Sequence, residues 1–163
     1  MRKGSLGLTL LTAASLVHGA AVAHCGEPDL KLSQLKSIAV VASLSAHGEL
    51  ELTIDALQRP FEEKLKKRGL SLDKSIGDNY VKVTAFIDRV EIKKQLLYIV
   101  NFSVQYNEQC ITSRAKQEAL CTLWEFYEPT ETFTTPEAAR KHVLATTDKA
   151  SQEFMAAFEH KGQ

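Results

Sequence analysis

The sequence predicts an α+β domain, with one mostly antiparallel sheet and two helices packed on one of its faces. The elements are expected in the order β-α-β-β-β-α. Three observations carry this. Strand-like patterns follow one another from Tyr80 to Thr132. Segments of helical period lie on either side of that stretch. A short apolar run of β-type residues precedes them all. A sheet with helices on one face is a two-layer arrangement that can bury a core in a single domain of this size.

The N-terminus is read first as an address rather than as structure. Arg2 and Lys3 precede an uncharged, mostly apolar run from Leu6 to Val17, and Ala21-Val22-Ala23 places small residues before a cleavage point. This is the pattern of a secretory signal peptide, residues 1–23, cleaved after Ala23. The apolar run is too short to span a bilayer. The expected location is therefore periplasmic or secreted. The whole sequence has net charge 0, and loss of Arg2 and Lys3 leaves −2. That balance gives no basic patch for nucleic acid or an anionic membrane surface.

Cleavage after Ala23 makes His24 terminal, with Cys25 beside it. A terminal amine, an imidazole and a thiol are candidate ligands for a soft metal, and an ordinary terminus is the alternative reading. Val22-Ala23-His24-Cys25 also approaches a bacterial lipoprotein cleavage box. His24 stands where that box takes Gly, Ala or Ser, so membrane anchoring through Cys25 is the minor reading. Cys25 is otherwise free, paired with Cys110 or Cys121, or linked to a second chain. Residues 24–36 read as a linker, and 37–163 as one α+β domain.

Ile38 to Leu44 is almost continuously apolar, which predicts a strand buried on both faces in the middle of the sheet. Leu50, Ile54, Leu57, Phe61 and Leu65 then recur at spacings of three and four. Glu49 to Asp55 also alternates as a strand would, but Glu62 and Glu63 precede Lys66 and Lys67 by four residues, and Gly69 offers a stop. These favour a helix from about Thr53 to Arg68, with Pro60 marking a kink or late start. The basic cluster Lys64, Lys66, Lys67 and Arg68 complements the helix dipole and reads as a solvated helix end. Leu70 to Asn79 reads as a loop.

Tyr80 to Ile92 is rich in Val, Thr, Phe and Ile without Gly or Pro, and predicts a strand. A short break at Lys93-Lys94-Gln95 suits a hairpin. From Leu96 the pattern has period two. Leu96, Tyr98, Val100, Phe102, Val104 and Tyr106 share a face, and the other face turns polar. Asn107 to Glu118 reads as a polar loop. A third strand, Ala119 to Tyr127, is expected to lose its regular pairing at Pro129. A hairpin here brings Cys110 and Cys121 together, and in an exported chain the pair is expected to form a disulfide; two buried thiols are the alternative. Thr135-Pro136-Glu137 is a helix start, and Val143, Thr147, Ala150, Phe154 and Phe158 continue at helical spacing.

The exported start, the IAVV strand, a helix ending Lys-Lys-Arg-Gly-Leu, the three-strand run and the C-terminal helix together resemble small bacterial envelope proteins. These include auxiliary components of lipid-exporting ABC systems and the lipopolysaccharide-assembly lipoprotein that plugs an outer-membrane barrel. The likeness is one of topology. It implies an envelope setting and a protein partner, and it assigns no residue a role.

Chemistry is sparse. No glycine-rich phosphate loop, G-x-S-x-G elbow, C-x-x-C or H-E-x-x-H occurs. His47, His142 and His160 show no ligand spacing, and Glu125 and Glu128 read as solvated strand-end charges. No cofactor is expected. Tyr98, Phe102, Tyr106 and Trp124 are core if the helices cover them, and an aromatic binding platform if they do not. The expected function is a non-enzymatic, protein-binding or transport-auxiliary module. A carrier of a small apolar ligand is the alternative, and a small exported hydrolase or metal-dependent enzyme the third reading.

Overall fold

The computed structural model describes residues 35–111 and 117–159. The signal peptide, His24, Cys25 and most of the linker lie outside the described residues. Seven principal elements follow one another: β1 (Ser37–Ser45), α1 (Ile54–Lys67), β2 (Ser71–Asp73), β3 (Asn79–Ile92), β4 (Gln95–Ile111), β5 (Glu118–Phe133) and α2 (Pro136–Glu159). A single 3-10 turn, Gly48–Leu50, links β1 to α1. The strands form one sheet in the order β2-β1-β3-β4-β5.

The sheet is mixed. β3, β4 and β5 form the expected antiparallel meander. β1 runs parallel to both β2 and β3. Parallel neighbours need a crossover, and α1 supplies it. β1 is consequently not the central strand; β3 is. β2 covers β1 only from Ser37 to Ala39. Burial on both faces, expected along the whole of β1, is confined to Ile38, Ala39 and Val40.

The helix ends are set by local chemistry. Thr53 Oγ1 accepts the Ala56 amide at 3.2 Å and caps α1. The helix runs from Ile54 through Pro60, so Pro60 marks no late start. At the far end the Gly69 amide donates to the Lys66 carbonyl at 2.9 Å, and the Leu70 amide to Leu65 at 3.2 Å. Gly69 has φ 81. This is a Schellman stop, with Leu65 and Leu70 both buried beneath it. The stop delivers the chain straight to β2, where the Ser71 amide donates to the Lys36 carbonyl at 3.3 Å. The segment read as a loop therefore contains a strand of three residues, too short to have a period of its own. Thr135 caps α2, its hydroxyl accepting the Ala138 amide at 3.2 Å.

Both helices lie on one face of the sheet. α1 buries Leu57, Phe61 and Leu65; α2 buries Ala139, Val143, Ala150, Phe154 and Met155. Leu50 is buried within the 3-10 turn, but Ile54 is exposed, against the helical-face expectation. Beneath the helices lie Val81, Val83, Ala85 and Ile87 of β3, and Tyr98, Val100, Phe102, Val104 and Tyr106 of β4. Lys64 fastens helix to helix, its Nζ donating to Asp148 at 2.7 Å and to Ser151 Oγ at 2.8 Å. The Lys64 hydrogen bond holds the Asp148 carboxyl below the usual carboxylate range. One member of the basic cluster is thus a tie between helices rather than a solvated end.

The first turn of the meander is the expected hairpin, and the second differs from expectation. Lys93 and Lys94, with φ 51 and 67, form a two-residue hairpin loop between Ile92 and Gln95. Both residues are left-handed, as a type I′ turn requires, although neither is the Asn or Gly that usually marks one. The polar loop is shorter than predicted, because β4 runs on to Ile111 and β5 begins at Glu118. Pro129 does not end the pairing either. Glu128 pairs with Phe102 and Glu131 with Val100, so Pro129 and Thr130 stand opposite Asn101 in a β-bulge. The bulge absorbs the missing proline N–H and β5 continues to Phe133.

Candidate functional site

The helices leave the other face of the sheet uncovered by any described element. Strand alternation places Lys82, Thr84 and Phe86 of β3 there, with Asn101, Ser103 and Gln105 of β4 and Glu125 and Tyr127 of β5. Most of these side chains are polar. Gln105 Nε2 donates to Glu125 at 2.9 Å, Thr130 Oγ1 to Asn101 at 2.6 Å and Thr122 Oγ1 to Asn107 at 2.8 Å. The third ties the buried Asn107 to β5, and the first two brace an exposed polar surface. Two aromatic rings stand out of it: Phe86 is 46% exposed and Tyr127 62%. Further along the β4–β5 hairpin, Ile111 and Leu120 are also exposed.

The four aromatics considered as a platform lie on the opposite, helix-covered face. Tyr98, Phe102 and Tyr106 are buried, and Trp124 is partly buried against Phe126 and Phe154. They are core, because α2 packs on β4 and β5 from that side. Their hydroxyls are spoken for. Tyr98 donates to Glu49 Oε1 at 2.8 Å, and Arg89 Nη1 reaches both oxygens of Glu49 at 3.1 and 3.0 Å. The Tyr98 hydrogen bond holds the pKa of the Glu49 carboxyl below its ordinary value, and the same bond raises the pKa of the Tyr98 phenol. Tyr106 donates to Glu108 at 3.1 Å, and burial pushes its phenol well above the usual range.

Cys110 and Cys121 are joined in a disulfide with Cα atoms 6.0 Å apart, within the usual span for such a bridge. The bridge crosses the β4–β5 ladder close to the hairpin end. It fixes the strand ends next to the exposed Ile111 and Leu120.

A second constellation was not foreseen. Glu128, Glu131 and His142 each bring a ligand-type atom to within 4.8 Å of the others. Strand alternation alone would send Glu128 and Glu131, three residues apart, to opposite faces. The bulge at Pro129-Thr130 adds a residue and turns both toward the helices, opposite Phe102 and Val100. Glu128, expected to be a solvated strand-end charge, has a side chain only 18% exposed and meets Lys149 Nζ at 3.3 Å. His142 Nδ1 lies 3.7 Å from Glu131 Oε2. Its Nε2 lies 3.4 Å from Thr146 Oγ1, and its ring rests on Phe133 with centroids 4.9 Å apart. The signal in the sequence was Glu-Pro-Thr-Glu at the end of a strand, where a proline calls for a bulge.

Among the described residues no helix is long and apolar enough to cross a membrane. No family model matches the chain. No curated protein matches it. Among solved structures it is similar to a minor lipoprotein from Acinetobacter baumannii, at 12% identity over 76% of this chain and 90% of that one, with a TM-score of 0.35. A likeness at that identity and TM-score carries no weight for the fold or the function of this chain.

Proposed function

We propose that the protein is an exported, non-enzymatic module of the cell envelope that binds a protein partner through the open face of its sheet. The observation that carries this reading is the one-sided layering: five strands, helices on one face, and Phe86 and Tyr127 raised on the other. Binding surfaces are commonly built this way, with a few aromatic anchors in a polar surround and the anchors supplying most of the energy. The envelope setting rests on the signal-peptide pattern of residues 1–23 and on the disulfide, which belongs to oxidising compartments. The absence of catalytic motifs from the sequence agrees with a binding role.

The test is site-resolved cross-linking in the native envelope. A photoreactive side chain is placed in turn at Phe86, at Tyr127 and, as a control on the helix layer, at Lys141. The expected result is one discrete adduct from Phe86 and Tyr127 and none from Lys141, with adduct yield reduced when the other aromatic is changed to Ser. Equal labelling from all three positions, or no adduct from the sheet, would overturn the reading.

A further inference from the structure

We infer that Glu128, Glu131 and His142 form a binding site for a first-row divalent cation of the Zn2+ type, between β5 and α2. The site is distinct from the open sheet face and stands or falls separately from the partner-binding reading.

The donor set is one imidazole nitrogen and two carboxylate oxygens. Imidazole suits Zn2+ and its first-row neighbours, whereas Mg2+ and Ca2+ take oxygen ligands and would leave His142 unused. The geometry fits one ion. With metal–ligand bonds of about 2.0–2.2 Å, two ligands at the tetrahedral angle stand about 3.4 Å apart, and two in line about 4.2 Å apart. The 3.7 Å between His142 Nδ1 and Glu131 Oε2 falls inside that span. The widest separation the cluster allows, 4.8 Å, is brought within it by a small turn of a side chain. Glu131 is free to make that turn, since its side chain is 47% exposed.

The surroundings act as an outer shell. Thr146 is buried on α2, one turn after His142, and its Oγ1 sits beside Nε2. With Nε2–H donating to that oxygen, Nδ1 carries the lone pair and faces Glu131. Outer-shell partners of ligating histidines commonly fix the tautomer in this way. Phe133 holds the ring from the side. His142 itself is largely enclosed, at 17% exposure.

Charge argues the same way. Two carboxylates brought side by side repel unless a cation joins them. Lys149 answers Glu128 with one positive charge and also lies over the Phe126 ring, 5.4 Å from its centroid. Glu128, Glu131 and Lys149 together still leave one negative charge, which a divalent ion would more than neutralise. Lys149 is therefore a competitor for Glu128 and not a ligand. Three protein ligands leave at least one coordination position for water, the arrangement of an open rather than a closed zinc site.

The experiment is equilibrium dialysis of the disulfide-intact mature chain against Zn2+, followed by metal analysis and a thermal-shift measurement. One Zn2+ per chain is expected, with a rise in melting temperature. His142→Ala and Glu131→Gln should each weaken binding by at least about tenfold, the scale lost even when an outer-shell partner is removed. Lys149→Ala should bind Zn2+ as tightly or more tightly, whereas a cluster of ion pairs alone would gain nothing from that change. Replacing His24 and Cys25 together should leave this site intact and separates it from any terminal one. Glu131→Gln is nearly isosteric and partly exposed, so it reports on the site even where His142→Ala unfolds the chain. No Zn2+ bound at micromolar concentration, or binding indifferent to both His142→Ala and Glu131→Gln, would overturn the proposal.

Discussion

Phe154 has no exposed surface, and its ring meets four others: Phe158 at 4.7 Å between centroids, Trp124 at 5.2 Å, Tyr106 at 5.8 Å and Phe61 at 6.0 Å. It joins both helices to β4 and β5. Phe154→Ala should destabilise the fold by about 3–5 kcal/mol, read as a lower urea midpoint, because transfer and cavity terms add at such a site. Tyr127→Ala, on the open face, should stay within about 0.5 kcal/mol of the parent by the same measurement. A large loss there would mean that the ring packs against something. At this scale the sequence was informative about company and silent about sides. Period two showed that Tyr98, Phe102 and Tyr106 share a face. Which face the helices cover depends on α2, and no residue of β4 records that. The Glu128–Glu131–His142 cluster was hidden for a related reason. Its ligands belong to two elements, and its register depends on one inserted residue.

Elements whose ends carry their own chemistry were legible. Thr135 caps and Pro136 opens α2 as expected, Gly69 stops α1, and α1 begins beside Thr53, which caps it. Elements defined by a neighbour were not. β2 exists because β1 offers three residues of edge, and β5 outlasts Pro129 because β4 tolerates a bulge opposite Asn101. Asn107 to Gln109 are polar and look like loop in the sequence, yet the disulfide and ladder keep them in register. That bridge closes a short loop of the unfolded chain. Changing Cys110 and Cys121 together to Ser should cost roughly 2–3 kcal/mol on the chain-entropy model, measured by chemical denaturation of parent and variant. Reduction of the parent should reproduce the same shift; if it does not, the serines act through packing around the buried Cys121 instead.

The whole molecule is held by ladders of unequal reach. β3 to β4 is a two-residue hairpin and β4 to β5 a short connection, while β1 meets β3 only after α1 has been laid down. Contacts between segments close in the chain carry a smaller closure cost than those between distant ones. The meander should therefore be the more protected part, and β1 with β2 the part that opens first. Native-state amide exchange should show Val41 to Ser45 and β2 exchanging well before the amides shared by β3 and β4. Uniform exchange across the sheet would mean that it opens as one unit. The order β-α-β-β-β-α was readable at this scale because each main element has its own period. The parallel placement of β1 was not, since a strand's direction in a sheet is set by the crossover and leaves no mark on the strand itself.

The bulge at Pro129 has a consequence for how these molecules keep apart. β5 is an outermost strand of sixteen residues, and a straight strand of that length would present a long row of unshared amides and carbonyls to any other chain. Such a row is a template for edge-to-edge aggregation. The extra residue at the bulge bends the strand and breaks the spacing a second chain would have to match. β5 is thereby guarded against indiscriminate strand addition along its outer rim.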